Sequence, residues 1–393
     1  MTKSILCLLL LSLITISISS CTKPIPVRHG NIINISKESI NKVEGNLAIH
    51  WFGTSNYLIS LGNNSIMTDP FVSHQKLLSV ISGSSIRSNN EYIKNYYKDV
   101  DVPDAIFIGH SHYDHLMDTV PYLDSKKDDK NRCNVPIYGS LTTKYILHGY
   151  PRDCNCENRN YQKDENWSLN FKKVIRMADW KQIEIVQCNN KNKNYNPKIQ
   201  YKAYVADHAP HVRLGSSDIL LFQGHLYKPL KVPPNNAYDY KEGYTYFYMF
   251  NIINDNDTDV SYKIGLAGAA TDIEDYELKY LKKCNPNNND SVTDTENEDH
   301  CLDVLIISVP GWKYKDEYPK GLIDKLKPRY IILSHFDNFF ETDRDKKPIK
   351  TVPLAGLDEF ILQIQDDINS IDNYGRFEKI IIPDVDTTVY LSK

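Results

Sequence analysis

The sequence predicts an α/β fold, mixed β-sheets covered by helices in a four-layer sandwich. Short apolar runs rich in β-branched residues recur along the chain, and helical periodicity lies between them in the second half. Chemistry sits on one of these runs: His110, His112, Asp114 and His115 follow directly after residues 105–108. Apolar content of 41% with 24% charge over 393 residues is enough for one large core or two moderate ones. The net charge of −4 and the lack of a long Lys/Arg tract give nucleic-acid binding no support.

Residues 1–20 read as a signal peptide. Lys3 precedes an apolar run at 5–18, about the length of a signal-peptide core and too short to span a bilayer comfortably. The run ends in Ile18-Ser19-Ser20-Cys21, which resembles a bacterial lipobox with Ile in place of the commoner Leu. Cys21 would then be acylated and become the mature N-terminus, a membrane anchor in the bacterial cell envelope facing the periplasm or exterior. A plain cleaved signal peptide is the alternative. Residues 21–45 are polar and aperiodic, which predicts a tether, and 46–393 form one folded domain.

Runs at 47–52, 57–61 and 65–68, separated by Gly53-Thr54-Ser55-Asn56 and Gly62-Asn63-Asn64, predict three antiparallel strands joined by tight turns. The third ends in Thr68-Asp69-Pro70. Residues 105–108, flanked by Pro103 and Gly109, predict a buried strand. His110 and His112 leave its end on extended backbone, where side chains two apart point the same way, so two imidazoles converge on one cation. The next turn brings Asp114 and His115 to the other side of the same cavity. Imidazole plus carboxylate is the mixture that zinc and similar divalent metals prefer. With only 12 His in the chain, such crowding is not a chance feature of a polar loop.

Downstream, 136–139 predicts a strand and 141–148 a helix capped by Ser140. Polar excursions at 124–134, 151–168 and 189–197 interrupt the pattern. A strand at 199–205 delivers Asp207-His208-Ala209-Pro210-His211. Further strands are expected at 218–222, 244–252, 262–267, 304–309, 330–334, 379–382 and 388–391, with helices at 321–326 and 357–368. Tyrosines at 244–248 read as strand packing. Beyond Cys7 and Cys21 six cysteines remain, compatible with up to three disulfides in an oxidising compartment. Cys284 and Cys301 bracket an Asn/Asp-rich loop that a bridge would close. Cys133, Cys154, Cys156 and Cys188 are disulfide partners or, less simply, a structural zinc site.

The H-x-H-x-D-H pattern resembles the signature of the metallo-β-lactamase superfamily, and the likeness extends from about residue 46 to the C-terminus. It implies the αββα sandwich of that family, with Cys-containing insertions here. His208 matches the family's third histidine and completes a three-imidazole site with His110 and His112. His335 matches the last histidine and joins Asp114 and His115 at a second metal. Asp69 corresponds to a buried aspartate that orients the metal-binding loop. His211 and His225 are treated as substrate or supporting groups. The family's bridging aspartate has no match, because Gly268-Ala269-Ala270-Thr271-Asp272 puts Gly or Ala at that position. Asp272 is the nearest carboxylate that a bent loop could bring to the metals.

Three His around one metal imply a water acidic enough to yield hydroxide at neutral pH, with Asp114 orienting it or taking its proton. The implied activity is a metal-dependent hydrolase, with one or two zinc ions expected and manganese or iron as alternatives. Trp51-Phe52-Gly53, Thr68-Asp69-Pro70, Asp207-His208-Ala209-Pro210-His211 and Ser308-Val309-Pro310-Gly311 look most like the branch containing N-acylphosphatidylethanolamine-hydrolysing phospholipase D and ascorbate-6-phosphate lactonase. That branch implies a small-molecule or lipid-like substrate with an ester-type bond, phosphodiester or lactone. The rival expectation is a lipoprotein that kept the fold, lost catalysis and serves as a binding or envelope module.

Overall fold

The computed structural model describes residues 32–35, 46–129, 132, 135–151, 170–173, 181–183, 198–214, 217–219, 221–254, 260–274, 277–284, 301–341, 350–372 and 374–392. One sheet has seven strands in the order β17 (Thr387–Leu391), β2 (Leu47–Gly53), β3 (Asn56–Leu61), β4 (Asn64–Thr68), β5 (Ala105–Phe107), β6 (Pro136–Gly139) and β7 (Asn170–Lys173). It is antiparallel from β17 to β4 and parallel from β4 to β7.

The second sheet has eight, in the order β1 (Ile32–Ile35), β16 (Lys379–Pro383), β15 (Tyr330–Ser334), β14 (Val304–Ser308), β13 (Ser261–Ala267), β12 (Thr245–Ile253), β9 (Ile199–Ala206) and β8 (Lys181–Gln182). It is parallel from β1 to β13 and antiparallel from there on. A separate hairpin joins β10 (Val212–Leu214) to β11 (Ser217–Ile219).

Burial explains why the parallel strands read as unbroken apolar runs. Every residue of β5, β14 and β15 is buried, as a strand covered on both faces requires, whereas β17 alternates along its length. The sheets pack face to face through aromatic rings: Phe107 meets Tyr201, Tyr248 and Phe250 at centroid distances of 5.3, 5.3 and 4.8 Å. Tyr248 also donates its hydroxyl to the Ile108 carbonyl at 2.9 Å; Tyr246 and Tyr248 are buried in the core as expected, whereas Tyr244 is exposed. Parallel strands need crossover helices, and with the inner faces occupied these flank the sandwich. They include α1 (Leu77–Ser82), α2 (Asn90–Tyr96), α3 (Tyr113–Leu116), α4 (Thr119–Ser125), α5 (Leu141–Leu147), α6 (Lys320–Leu326) and α7 (Leu357–Ser370). Ser140 caps α5 through the Thr143 N–H at 3.1 Å, as expected, and α7 buries Phe360, Ile361 and Ile364.

Several expectations are corrected. Helices α1, α2 and α4 were not expected from the sequence. Within the segment read as a tether, 32–35 is a strand paired parallel to β16. Of the strand expected at 218–222, the described part is Ser217–Ile219, and Phe222 lies in the left-handed region with φ 61. The Cys284–Cys301 bridge is formed, with Cα atoms 4.6 Å apart. The signal peptide, Cys21, Cys133, Cys154, Cys156 and Cys188 lie outside the described residues.

Candidate metal centre

β4 and β5 run parallel in one sheet, and in the other β9 and β13 both oppose β12, so β9 runs the same way as β15; the residues that follow β5, β9 and β15 meet at one edge of the sandwich. His110, His112 and His208 there offer three ligand atoms all within 4.8 Å of one another. Asp114, His115 and His335 do the same. The two sets adjoin, the His110 and His115 rings lying 3.8 Å apart.

His110 Nε2 and His112 Nδ1 stand 2.9 Å apart. His335 Nε2 is 3.3 Å from both His115 Nε2 and Asp114 Oδ2. Donors about 2.0–2.1 Å from a tetrahedral cation sit roughly 3.3 Å from each other, so both sets fit a divalent metal.

The supporting bonds point the right nitrogens inward. Asp69, fully buried, accepts the Gly109 N–H at 2.7 Å on one oxygen and His115 Nδ1 at 2.9 Å on the other. A carboxylate in that position fixes the tautomer and leaves the His115 Nε2 lone pair free. The Ala209 carbonyl does the same for His208, taking its Nδ1 proton at 2.7 Å. Both Asp69 (φ 40) and His335 (φ 62) hold left-handed backbone, a strained turn at the ends of β4 and β15. The Thr54 turn secures the second of these, its carbonyl accepting the His335 N–H at 3.0 Å and its own N–H bonding Asp337 at 2.7 Å.

Electrostatics suit metal binding. Burial, with neighbouring imidazoles, holds His110 and His112 well below the ordinary histidine value, so both present lone pairs at neutral pH. Burial pushes the Asp114 carboxyl up, but His115, His335 and His112 beside it outweigh that and hold it below the usual carboxylate range. Burial opposes charge on His115 as well, yet Asp69 and Asp114 raise it above its ordinary value, so at this set a metal competes with a proton for Nε2.

Asp272 does not join either set. Its two oxygens accept the backbone N–H groups of Asp316 and Glu317 at 3.2 and 2.8 Å, and this exposed turn keeps it from bridging. The expected bridging position is closed at Gly268, where a Cβ would meet Gly109 Cα and the Tyr246 carbonyl, each at 3.2 Å. Ser308-Val309-Pro310-Gly311 instead braces the His208 loop. Gly311 (φ +82) lies so close that a Cβ would stand 2.6 Å from that of Ala209.

His211 lies in the same cavity, its ring 5.0 Å from His208 and 5.3 Å from His112. Burial and His208 push it down to about 3. His225 lines an adjacent cleft of about 340 Å³ with Asp207, Gln223, Glu242 and Tyr244. Glu242 was missed by sequence reasoning: its carbonyl accepts the Ser111 N–H at 2.9 Å, and its carboxylate opposes the effect of burial on His208. Nothing in its local sequence signals this role.

No family model and no curated protein sequence matches the chain significantly. Solved structures do resemble it. The metallo-β-lactamase fold protein YhfI from Bacillus subtilis matches at 10% identity and a TM-score of 0.43, over 88% of this chain and 100% of that one. Igni18, a metallo hydrolase from the archaeon Ignicoccus hospitalis, matches at 12% and 0.45, over 88% and 99%. An isothiocyanate hydrolase from Delia radicum gut bacteria matches at 13% and 0.42, over 88% and 100%. Values this low carry no assignment, and the reading of the site rests on its own geometry.

Proposed function

We propose that the protein is a metal-dependent hydrolase of the metallo-β-lactamase type, acting on an ester-type bond, with a phosphodiester or lactone preferred. The observation that carries this reading is the pair of adjoining three-donor sets, buried or half-buried at a common sheet edge. A bound divalent cation would supply a Lewis acid and an acidified water at neutral pH. His110, His112 and His208 would hold one ion. Asp114, His115 and His335 would hold a second, and two His with one carboxylate is a set that also suits iron or manganese. Asp114, kept ionised among imidazoles, can accept a proton or orient a water. The cleft beside His208 has room for part of a small-molecule or lipid-like substrate.

The N-terminal signal and Cys21 support an anchored envelope protein. Among the described residues, no helix is long and apolar enough to cross a membrane.

Among the described residues no carboxylate bridges the two sets, which favours a second reading, a metal-binding or envelope module without turnover. Six donors held in register weigh against it, since a site without chemical demand has little reason to keep them.

The test is to purify the chain from Thr22 onward, measure bound zinc, manganese and iron, and assay bis(p-nitrophenyl) phosphate alongside lactone and β-lactam substrates. Turnover that disappears with the metal in His112→Ala is expected. Full activity in that variant sinks the hydrolase, whereas bound metal with no turnover on any substrate selects the module.

A further inference from the structure

His211 belongs to neither donor set, yet separate contacts fix it in the cavity wall. Its backbone N–H donates to the Ile219 carbonyl at 3.1 Å, extending the β10–β11 hairpin by one bond. Its Nδ1 accepts the Leu221 backbone N–H at 3.2 Å. An amide N–H only donates, so Nδ1 presents its lone pair, and in the neutral ring the proton lies on Nε2. The ring stacks on His208, with planes 19° apart, and meets Phe222 edge-on at 6.1 Å. Among the described residues no hydrogen bond uses Nε2. His211 therefore offers a fixed, neutral N–H beside the three-imidazole set, which needs lone pairs from its ligands and gains nothing from this proton.

We infer that His211 is an oxyanion donor: its Nε2–H hydrogen-bonds the substrate oxygen that gains negative charge as the adjacent centre is attacked. The inference rests on the hydrolase reading and adds a role to it. Donation without proton transfer follows from the geometry. Charging the ring would break the Leu221 bond and place a cation among imidazoles, while a neutral imidazole is too weak an acid to give up Nε2–H. A donor held in place before reaction stabilises developing charge without reorganising. The same logic operates where a neutral histidine polarises a carbonyl.

The test compares zinc-loaded wild type, His211→Ala and His211→Gln, since the Gln side-chain amide can donate near the position of Nε2. Bis(p-nitrophenyl) phosphate reports turnover, and calorimetric titration with inorganic phosphate reports the oxyanion position independently of turnover. Zinc content stays at the wild-type level in both variants. In His211→Ala, kcat falls about 100-fold, with His211→Gln recovering roughly tenfold of the loss. Phosphate affinity falls about tenfold in His211→Ala, in the range of one lost hydrogen bond. Zinc lost from His211→Ala, unchanged phosphate affinity, absent phosphate binding to the zinc-loaded wild type, or a Gln variant no better than Ala overturns the donor. A wild type without turnover whose phosphate affinity still depends on His211 overturns the hydrolase reading alone.

Discussion

Gly109 and Gly268 face each other across the seam between the two sheets so closely that a Cβ on Gly268 would stand 3.2 Å from Gly109 Cα. Gly109 follows β5, the strand that delivers His110 and His112, Gly268 follows β13, and the Gly109 carbonyl accepts the Tyr246 N–H at 2.9 Å. Backbone meets backbone here, so a side chain at Gly268 would press against two backbone groups that must shift to admit it.

Gly268→Asp accordingly does not create a bridge. Overpacking against two backbone groups destabilises the fold by about 1–3 kcal/mol. Thermal melting alongside metal analysis checks this: a variant as stable as wild type with an extra tightly held ion contradicts it.

Asp272→Asn leaves metal content unchanged. The carboxylate is engaged with the Asp316 and Glu317 N–H groups on an exposed turn, and its amide counterpart keeps one acceptor oxygen there. Atomic emission on the purified variant gives the answer, and loss of an ion would show that the turn opens to let Asp272 reach the site.

Asp69→Asn weakens the second donor set selectively. The neutral amide no longer offers His115 a charged acceptor, and loss of such a partner costs about 10–100-fold in metal affinity. Chelator competition should find that ion released early while the ion at His110, His112 and His208 is retained. Equal weakening of both would mean that Asp69 acts mainly through the Gly109 N–H.

Acid destabilises the metal-stripped protein through its histidines. In the folded chain His110 and His112 are held well below 6.5, whereas in the unfolded chain they protonate near it. Below that pH the unfolded chain binds more protons, so stability falls as pH falls, and above it these two groups add no slope. Calorimetry between pH 7 and pH 5 should record a declining Tm, with a shallower decline in the His110→Ala/His112→Ala double variant. A Tm that held level in acid would contradict the assignment.

Replacing both Cys284 and Cys301 by Ser removes a constraint across 17 residues of sequence. Loop-closure entropy puts the cost at about 3 kcal/mol. Denaturant unfolding of the double variant measures it, and an unchanged midpoint would mean that the loop ends are held without the bridge. Their backbone bonds, Cys284 N–H to Lys325 O at 2.7 Å and Leu302 N–H to Leu326 O at 3.0 Å, are the alternative restraint.

The strands that deliver the donors, β5, β9 and β15, were legible to within a residue because their signal is local. Apolar runs such as Ile331-Ile332-Leu333 announce a buried strand without reference to anything else. The short helices α1 and α2 were not, since each buries a single apolar residue, Val80 and Ile93, and not a whole apolar face. The equally short α5 and α6 were announced by a Ser cap and by the apolar set Leu322, Ile323 and Leu326. The edge strand Ile32–Ile35 escaped for a related reason: its partner, β16, lies at the other end of the chain.

By itself the sequence determined which groups are available and that each follows a strand: His110, His112, Asp114, His115, His208 and His335, with Asp69 behind them. The family resemblance implied how they group. The tertiary structure brings the groups together: His115 and His335 are 220 residues apart and meet where the two sheets close on each other. It likewise decided that Asp272 turns away, that glycines seal the seam, and that a Leu221 amide sets the tautomer of His211. Local pattern fixes a side chain's place along its strand, whereas the direction of a lone pair depends on partners brought near by packing.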